Sequence, residues 1–344
     1  MRHGAIEKPD GRSYCIGRTD WPLSGEGRVQ AALLQTWFDG MTDAWAATSP
    51  LARCAETASI AMQRDVPRDA RLTELNMGEW DGLAFETIRA RWPETYRLRG
   101  ESICLHVPPG AENPLDAQKR ALAMLETAAE TSVFFSHAGL CRLLLCHLDG
   151  RSPDEMTRMR LDTGSVSLLV FDRAGWRVAA QNLRPAKTPP LAECEALLSQ
   201  LPEHVAAHCR AVRSLALEMT DALSKRGLLL DRGLVGTAAL LHDMCRLQEN
   251  HASAGAALMA ARGYNEAANV IALHHNWNGD ALDEAALVFL ADKYIQGTER
   301  TPLAERFRRS AARCETDAAR SAHEARFRAA LHAEALFRAQ VEGE

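Results

Sequence analysis

The stretch Arg184-Pro185-Ala186-Lys187-Thr188-Pro189-Pro190 divides this chain, because the pattern of apolar residues differs on its two sides. Its prolines lack a backbone N–H and fix φ, so neither a helix nor a central strand can run through it. We predict an interdomain linker here which, with a lead-in helix, covers residues 185–199. The chain has 344 residues, a length that suits two domains of ordinary size.

The sequence before the linker alternates short β-type runs with amphipathic stretches. Strands are predicted at residues 44–48 and 132–135, and a hairpin at residues 165–180 turns around Arg173-Ala174-Gly175. Helical spacing is present over residues 26–38, 52–63 and 116–129. This alternation is typical of an α/β layered domain, which we assign to residues 1–184.

The sequence after the linker contains no convincing strand. We predict an all-α domain over residues 200–298, followed by a charged helical tail over residues 299–344. The charges of the tail nearly cancel, which favours a solvated amphipathic helix or helical hairpin over a nucleic-acid-binding arm. The predicted helices cover residues 197–223, 234–249, 252–262, 266–275 and 282–295.

The composition argues against several classes of protein. With 47% hydrophobic and 25% charged residues the chain has a globular composition, and its net charge of −5 is too mild for a dedicated nucleic-acid binder. No apolar run approaches the roughly 18 residues of a membrane helix, and no signal-peptide core follows Met1, so we expect a cytoplasmic protein without a membrane partner. The nine cysteines are scattered without a C-x-x-C pair, which favours reduced thiols.

Five short motifs in the first domain contain residues suited to phosphate chemistry. Arginine offers a phosphoryl group always-charged, bidentate donors, so Arg2 and Arg53 are candidate clamps. A neutral imidazole can attack phosphorus, and a second imidazole can stabilise the transferred group. The motifs are Arg2-His3-Gly4, Gly17-Arg18-Thr19-Asp20-Trp21-Pro22-Leu23-Ser24, Ser49-Pro50-Leu51-Ala52-Arg53-Cys54-Ala55-Glu56-Thr57-Ala58, Leu72-Thr73-Glu74-Leu75-Asn76-Met77-Gly78-Glu79-Trp80-Asp81-Gly82 and Ser136-His137-Ala138-Gly139.

In this order the motifs resemble the histidine phosphatase superfamily, also called phosphoglycerate-mutase-like. The resemblance implies a three-layer α/β domain, with His3 as the nucleophile and His137 as the helper imidazole. It also implies that Glu74 protonates the leaving group and later takes a proton from water. Glu79 is the alternative candidate for this proton-transfer role. Arg18 is expected to bind substrate. The motifs look closer to small phosphatases, including α-ribazole phosphatase, than to mutases, and the implied chemistry needs no cofactor.

One departure from this family concerns the first strand. Family members carry a hydrophobic strand before Arg-His-Gly, whereas only Met1 precedes that motif here. We therefore expect the first strand to be missing and His3 to be poorly positioned. Either the true start lies upstream, or the domain is impaired and serves as a sensor that binds a phosphorylated ligand and regulates the second domain.

Histidines and aspartates cluster after the linker in the order H…HD…H…HH…D. Imidazole nitrogens and carboxylate oxygens suit Fe, Mn, Zn or similar ions. The order resembles the HD superfamily of metal-dependent phosphohydrolases, which implies a helical domain that binds one or two divalent ions. The residues are His208, His242, Asp243, His251, His274, His275 and Asp292.

These residues divide into two predicted metal sites. Asp243 is the expected bridge between the two ions. Arg246 falls where many HD proteins carry a lysine, and we expect it to bind a phosphate oxygen. The first site would comprise His208, His242, Asp243 and Asp292, and the second would add His251, His274 and His275.

Together the motifs of the first domain and the histidine and aspartate cluster of the second predict a bifunctional hydrolase that acts on phosphate ester bonds. A phosphohistidine-type phosphomonoesterase would be joined to a divalent-metal-dependent HD phosphohydrolase, and the substrate would be a small phosphorylated metabolite or a nucleotide. A cofactor-pathway enzyme is a further possibility, suggested by the α-ribazole phosphatase resemblance. Fold similarity does not identify the substrate, and the sequence indicates no oligomeric state.

Overall fold

A computed structural model describes residues 1–343 and divides the chain into two compact units, with the boundary along the chain between Arg184 and Pro185. Glu344, the last residue of the predicted tail, lies outside the described residues. Within residues 1–343, no helix combines the length and the apolar character needed to cross a bilayer.

The first unit is an α/β structure. Strands β1 and β2 pair in parallel from Trp45 opposite Ser132 to Thr48 opposite Phe135, whereas β3 and β4 form an antiparallel hairpin. Short 3-10 helices lie at Ala70–Leu72, Gly78–Trp80 and Pro153–Arg158. The elements are α1 (Gly25–Phe38), β1 (Trp45–Thr48), α2 (Ala52–Met62), α3 (Phe85–Arg91), α4 (Pro93–Glu101), α5 (Pro114–Leu125), β2 (Ser132–Phe135), α6 (Ala138–Leu148), β3 (Val166–Asp172) and β4 (Gly175–Leu183).

The first residues of the chain lie beside β2 despite the short segment before the Arg-His-Gly motif. Arg2 pairs with Ser136 in a parallel bridge, and the N–H of His3 donates to the Ser136 carbonyl at 3.0 Å. On the other side the N–H of Gly164 donates to the His3 carbonyl at 3.0 Å. A regular first strand is absent from the described residues, as expected, but His3 is held from both sides and is not poorly positioned.

Gly4 explains why the third residue of the Arg-His-Gly motif is small. A Cβ atom there would lie 2.4 Å from the carbonyl oxygen of Gly27 in α1. A Cβ atom on Gly27 would in turn lie 2.0 Å from the carbonyl oxygen of Ala5. The two glycines therefore let the segment after His3 pack directly against the start of α1.

The second unit is almost entirely helical. Among its described residues, a short antiparallel hairpin departs from the predicted all-α fold, with Ile295 paired with Arg300 and Gln296 with Glu299. Because each strand has only two residues, the sequence carries no alternation that could predict it. The elements are α7 (Leu191–Leu198), α8 (Glu203–Lys225), α9 (Arg232–Leu241), α10 (His251–Ala261), α11 (Asn265–Leu273), α12 (Glu284–Tyr294), β5 (Ile295–Gln296), β6 (Glu299–Arg300), α13 (Leu303–Ala311) and α14 (Asp317–Glu342).

Two predicted helices of this unit have different boundaries in the structure. The helix expected over residues 197–223 is interrupted between α7 and α8, where Pro202 precedes the first residue of α8. Proline has no N–H to continue the preceding helix. The helix expected over residues 234–249 ends at Leu241, where the His242 side chain contacts the Ala239 carbonyl at 2.7 Å.

The predicted linker and tail both pack into the core of the second unit. Cys194 and Leu198 of α7 are buried, as are Leu303 and Phe307 of α13. These side chains belong to the same apolar cluster as residues of α8 to α12, together with Ala330 and Ala333 of α14. Residues 185–199 and the described part of the tail are therefore part of the second unit rather than appendages to it.

Candidate functional site

His3 is buried in the first unit, with 5% of its surface exposed. Its Nδ1 lies 2.7 Å from the Gly4 carbonyl oxygen. Because a carbonyl only accepts, Nδ1 carries the proton and Nε2 keeps its lone pair. Burial, and then the charge of Arg53, lower the pKa of His3 to about 3, so the ring is neutral at physiological pH. His3 therefore has the free nitrogen that a nucleophile needs.

His137 is fully buried beside His3 at the start of α6, and the two ring centroids lie 5.1 Å apart. The Nε2 of His137 is 2.7 Å from the Ser49 hydroxyl and 3.4 Å from the Cys54 sulfur. Burial, and then the neighbouring His3, lower the pKa of His137 well below its usual range. The site thus contains two neutral imidazoles, one of which is fixed by a hydroxyl group.

Arg53 is almost completely buried in the first turn of α2. Its Nη1 and Nη2 donate to the carbonyls of Thr19 and Gly17 at 2.8 and 2.7 Å. The N–H groups of residues 17–19 donate to the Asp81 carboxylate at 2.7–3.0 Å, so the loop is held between a guanidinium and a carboxylate. The buried Nε of Arg53 has no partner in the described chain and could donate to an anion.

Arg2 is the second guanidinium of the site. Its Nη1 donates to the Leu161 carbonyl at 2.5 Å, and its buried Nε has no partner in residues 1–343. Burial, and then the charge of Arg142, lower the pKa of Arg2. Arg142, which follows His137 in α6, also has a buried Nε without a partner among the described residues. Repelling guanidiniums with unsatisfied donors favour the binding of an anion.

Glu74 lies at the N-terminus of α6, next to His137. Its Oε2 accepts the Gly139 N–H at 2.9 Å, and its Oε1 accepts the N–H groups of Leu140 and Leu75 at 2.9 and 3.0 Å. A Cβ atom on Gly139 would lie 2.6 Å from Oε1, so glycine makes room for this contact. Each carboxylate oxygen has two lone pairs, which leaves one lone pair of Oε2 able to hold a proton.

The remaining candidates of the first unit lie further out. The side chain of Arg18 is 48% exposed, and its Nη2 is 3.5 Å from Glu112 Oε2. The Nε of Arg18 lies 3.5 Å from the Glu74 carbonyl, which places Arg18 at the rim of the site. Glu79, the competing carboxylate, is exposed, and Glu56 forms an ion pair with Arg28 at 2.6 Å. The buried site therefore brings together Arg2, His3, Arg53, Glu74 and His137.

In the second unit, His208, His242 and Asp292 form a first group of possible metal ligands, with donor atoms within 4.8 Å of one another. Asp292 Oδ1 is 3.3 Å from the Nε2 of His208 and 3.7 Å from that of His242. The Nδ1 atoms contact the carbonyls of Gly297 and Ala239 at 2.9 and 2.7 Å. Since each Nδ1 donates to a carbonyl, each Nε2 has a lone pair for an ion.

A second group of possible ligands comprises Asp243, His251, His274 and His275. Asp243 Oδ1 is 3.1 Å from His251 Nε2 and 3.6 Å from His274 Nε2, and the Nε2 atoms of His251 and His275 are 2.8 Å apart. The other oxygen, Oδ2, lies 3.7 Å from His242 Nε2 in the first group. Asp243 thus lies with the second group through Oδ1 and approaches the first group through Oδ2, and its role as the ligand that bridges the two sites stays a prediction.

Two buried nitrogen atoms indicate whether these groups fit a metal ion. The Nε2 atoms of His242 and His274 have no hydrogen-bond partner in the described part of the chain. A buried polar atom without a partner costs free energy, and coordination to an ion would satisfy both atoms. The nitrogen and carboxylate donors also suit Fe, Mn or Zn. These residues therefore fit the divalent metal that the sequence predicts.

Lys293 connects the two ligand groups. Its buried Nζ donates to Asp292 Oδ2 at 2.5 Å and to the His274 carbonyl at 3.1 Å. Burial lowers the pKa of Lys293, although the charge of Asp292 opposes this change. One oxygen of Asp292 is thus paired with Lys293, while the other is directed to the histidines.

Two arginines border the same ligand groups. Arg246 Nη1 lies 3.4 Å from Asp243 Oδ1 and 3.3 Å from His251 Nε2. Arg306, on α13, places Nη2 3.7 Å from Asp292 Oδ1. Together with Lys293, these arginines place three cationic side chains around the carboxylates of Asp243 and Asp292, and a bound metal ion would add further positive charge. This excess of positive charge favours an anionic substrate.

Sequence reasoning missed several residues that contact the predicted ones, among them Ser49, Asp81, Lys293 and Arg306. Ser49 and Asp81 lie inside the motifs of the first domain, but the sequence could not predict which residues they contact. Lys293 directly follows Asp292, and a lysine next to a predicted ligand was the available signal. Arg306 had no signal, because it comes from a charged tail that resembled a solvated helix.

Comparisons with known proteins follow the same division of the chain. The family described as "Histidine phosphatase superfamily (branch 1)" matches residues 1–184, and the family described as "HD domain" matches residues 205–296. Both are hydrolase families that act on phosphate esters. The predicted families, and the predicted α/β unit followed by a helical one, are thus confirmed.

Individual relatives are distant. A 2,3-bisphosphoglycerate-dependent phosphoglycerate mutase 2 of Gloeobacter violaceus is 29% identical over 42% of this chain and 73% of its own. Phosphoserine phosphatase 1 of Hydrogenobacter thermophilus is 28% identical over 49% of this chain and 83% of its own. The α-ribazole phosphatase structure from Shigella flexneri is 22% identical, covers 55% of this chain and 97% of its own, and has a TM-score of 0.48. With more than half of its length matched by one family, this chain belongs to the histidine phosphatase superfamily and carries an HD domain after the phosphatase domain.

Proposed function

We propose that this protein is a bifunctional phosphohydrolase. Its first unit would hydrolyse phosphomonoesters through a phosphohistidine without a metal, and its second unit would hydrolyse phosphate esters with a divalent metal. The observation that carries the proposal is the contrast between two histidine clusters in one chain. His3 and His137 lie beside Arg2 and Arg53, whose Nε atoms are buried. The Nε2 atoms of His242 and His274 instead have no hydrogen-bond partner among the described residues and lie near aspartates.

In the first unit, Nε2 of His3 attacks phosphorus as the bond to the leaving oxygen breaks. Glu74 donates a proton to that oxygen, so the product leaves as an alcohol. Water then attacks the phosphohistidine, and its proton passes to Glu74. Phosphate departs, Nε2 regains its lone pair, and the site returns to its starting state.

The surrounding residues stabilise charge on the transferred group. Arg2 and Arg53 have buried N–H groups without partners within residues 1–343, which can donate to phosphoryl oxygens. His137 is held by Ser49 next to His3 and can donate to the same group. Arg18 lies at the more exposed rim, where it would contact the rest of the substrate.

In the second unit, the seven predicted ligands would hold one or two divalent ions, with Asp243 between the groups. When bound, such ions supply a nucleophilic hydroxide and neutralise phosphate charge. The chain's own residues keep the ligands in place, because Lys293 fixes Asp292 and backbone carbonyls fix the ring orientations of His208, His242 and His274. Arg246 would bind a phosphoryl oxygen beside Asp243.

We propose a small phosphorylated metabolite or nucleotide as the substrate. Relatives of the chain are named phosphoglycerate mutase, phosphoserine phosphatase and glucosyl-3-phosphoglycerate phosphatase, and these names refer to small phosphorylated molecules. The proposed divalent metal belongs to the second unit alone, and its identity would be Fe, Mn, Zn or a similar ion.

The test is a phosphatase screen of the full chain, with and without EDTA, alongside metal analysis. We expect an EDTA-resistant activity that His3→Ala removes and a metal-dependent activity that Asp243→Asn removes. Loss of all activity in either variant alone would contradict two working centres. Absence of EDTA-resistant activity would favour the alternative that the first unit senses a phosphorylated ligand.

A further inference from the structure

Helix α13 reaches one of the metal-ligand groups through Arg306, although it lies beyond the HD match, which ends at residue 296. Leu303 and Phe307 of α13 are buried in the core, which fixes the helix against α12. Arg306 lies between them in sequence, and its Nη1 donates to the Ile295 carbonyl. This contact holds the guanidinium at the edge of the His208, His242 and Asp292 group.

Arg306 does not form a close ion pair with the aspartate that it approaches. Its Nη2 is 3.7 Å from Asp292 Oδ1, which exceeds hydrogen-bond distance. The other oxygen of Asp292 is already bonded to Lys293. Within residues 1–343, no second carboxylate lies within 4 Å of the Arg306 guanidinium, so this cation approaches only a predicted metal ligand.

The electrostatics of this position favour an anion beside Arg306. A divalent ion bound to Asp292 and the guanidinium next to it would repel each other. An anionic oxygen that contacts both would remove that repulsion. The Arg306 side chain is 25% exposed, so it can be reached from solvent, and guanidinium geometry matches a phosphoryl group.

We propose that Arg306 is a substrate-binding residue that donates to a phosphoryl oxygen beside the His208, His242 and Asp292 group. The proposal rests on the metal-dependent phosphohydrolase function of the second unit. It makes α13 a part of the active site rather than only a support for it. Arg246 occupies the corresponding position beside Asp243 and His251.

The test measures the Mn²⁺-dependent affinity of the full chain for inorganic phosphate by calorimetry, as the difference between Mn²⁺-loaded and metal-free protein. Arg306→Gln should raise the Kd about tenfold or more, since bonds to charged groups are lost. Its Mn²⁺ content, measured by mass spectrometry, should stay unchanged. Arg306→Lys should give an intermediate Kd, because lysine keeps the positive charge but lacks the paired N–H donors of the guanidinium.

Arg308→Gln is the matched control, because Arg308 is exposed on the same helix and should bind phosphate as the wild type does. Loss of Mn²⁺ in Arg306→Gln, or an unchanged Kd, would overturn the proposal. If that variant fails to fold, a wild-type Kd in Arg306→Lys would overturn it. A wild-type protein without Mn²⁺-dependent phosphate binding would instead contradict the metal-dependent function, and the proposal with it.

Discussion

The two histidine clusters differ in what surrounds their ring nitrogens. In the first unit, Nδ1 of His3 is hydrogen-bonded to a carbonyl, Nε2 of His137 contacts a hydroxyl, and the positive charge comes from the buried Arg53 and the half-buried Arg2. In the second unit, the Nε2 atoms of His242 and His274 have no partner in the described structure and are directed toward aspartates. The same side chain therefore suits a nucleophile in one place and a metal ligand in the other.

The largest effects are expected from a pair of reciprocal variants, one in each histidine cluster. His3→Ala should lower the EDTA-resistant activity about a thousandfold or more, because the attacking nitrogen is lost. Asp243→Asn should lower the metal-dependent activity by a similar factor, because a charged ligand between the two groups is lost. Each variant is assayed on both activities. A loss of both activities in one variant would mean that the clusters do not work separately.

A second prediction separates two carboxylates of the first unit. Glu74→Gln should lower kcat of the EDTA-resistant activity about a hundredfold, since an amide cannot supply the proton. Glu79→Gln is the matched control and should retain activity, because Glu79 is exposed. A steady-state assay on a phosphomonoester with a poor leaving group measures the effect. Equal losses in both variants would remove Glu74 from its proposed role.

A smaller effect is expected from the hydroxyl that fixes His137. Ser49→Ala should reduce kcat about tenfold, since one hydrogen bond of moderate strength holds the ring. The KM should change little, because the arginine clamps remain. Ser132→Ala in β2 is the control, as its hydroxyl contacts residue 129 instead. Wild-type kcat in Ser49→Ala would mean that packing alone orients His137.

A separate prediction concerns stability rather than activity. The pKa of His3 is about 3 in the folded chain against 6.5 as its ordinary value, so between these pH values only the unfolded state binds the proton. Stability should therefore fall as the pH drops from 6.5 toward 3, by up to about 1.4 kcal/mol per pH unit for this group.

Urea unfolding at several pH values tests this dependence. The free energy of unfolding should fall less steeply with decreasing pH in His3→Gln than in the wild type. His147→Gln changes an exposed histidine and should leave the slope unaltered. Identical slopes in the wild type and His3→Gln would contradict a neutral, buried His3.

The ordered motifs predicted both families, because motifs such as Arg2-His3-Gly4 and His242-Asp243 bring together residue types that their chemistry requires. They could not predict contacts made across the fold. Residues 1–3 are held by Ser136 and Gly164, so two neighbours compensate for the short strand. Similarly, the distances from Asp243 to the two ligand groups depend on the loop after α9, a segment for which the sequence predicted a helix.

The shared core of the second unit determines which fragments of the chain can fold. A fragment ending at residue 298 would match the HD family yet lose Phe307, Ala330 and Ala333 from the interior. Exposing the apolar surface beneath them costs about 25 cal/mol for each Å². We therefore expect such a fragment to aggregate when expressed, whereas one that starts at Pro185 and keeps the C-terminal helices should be soluble.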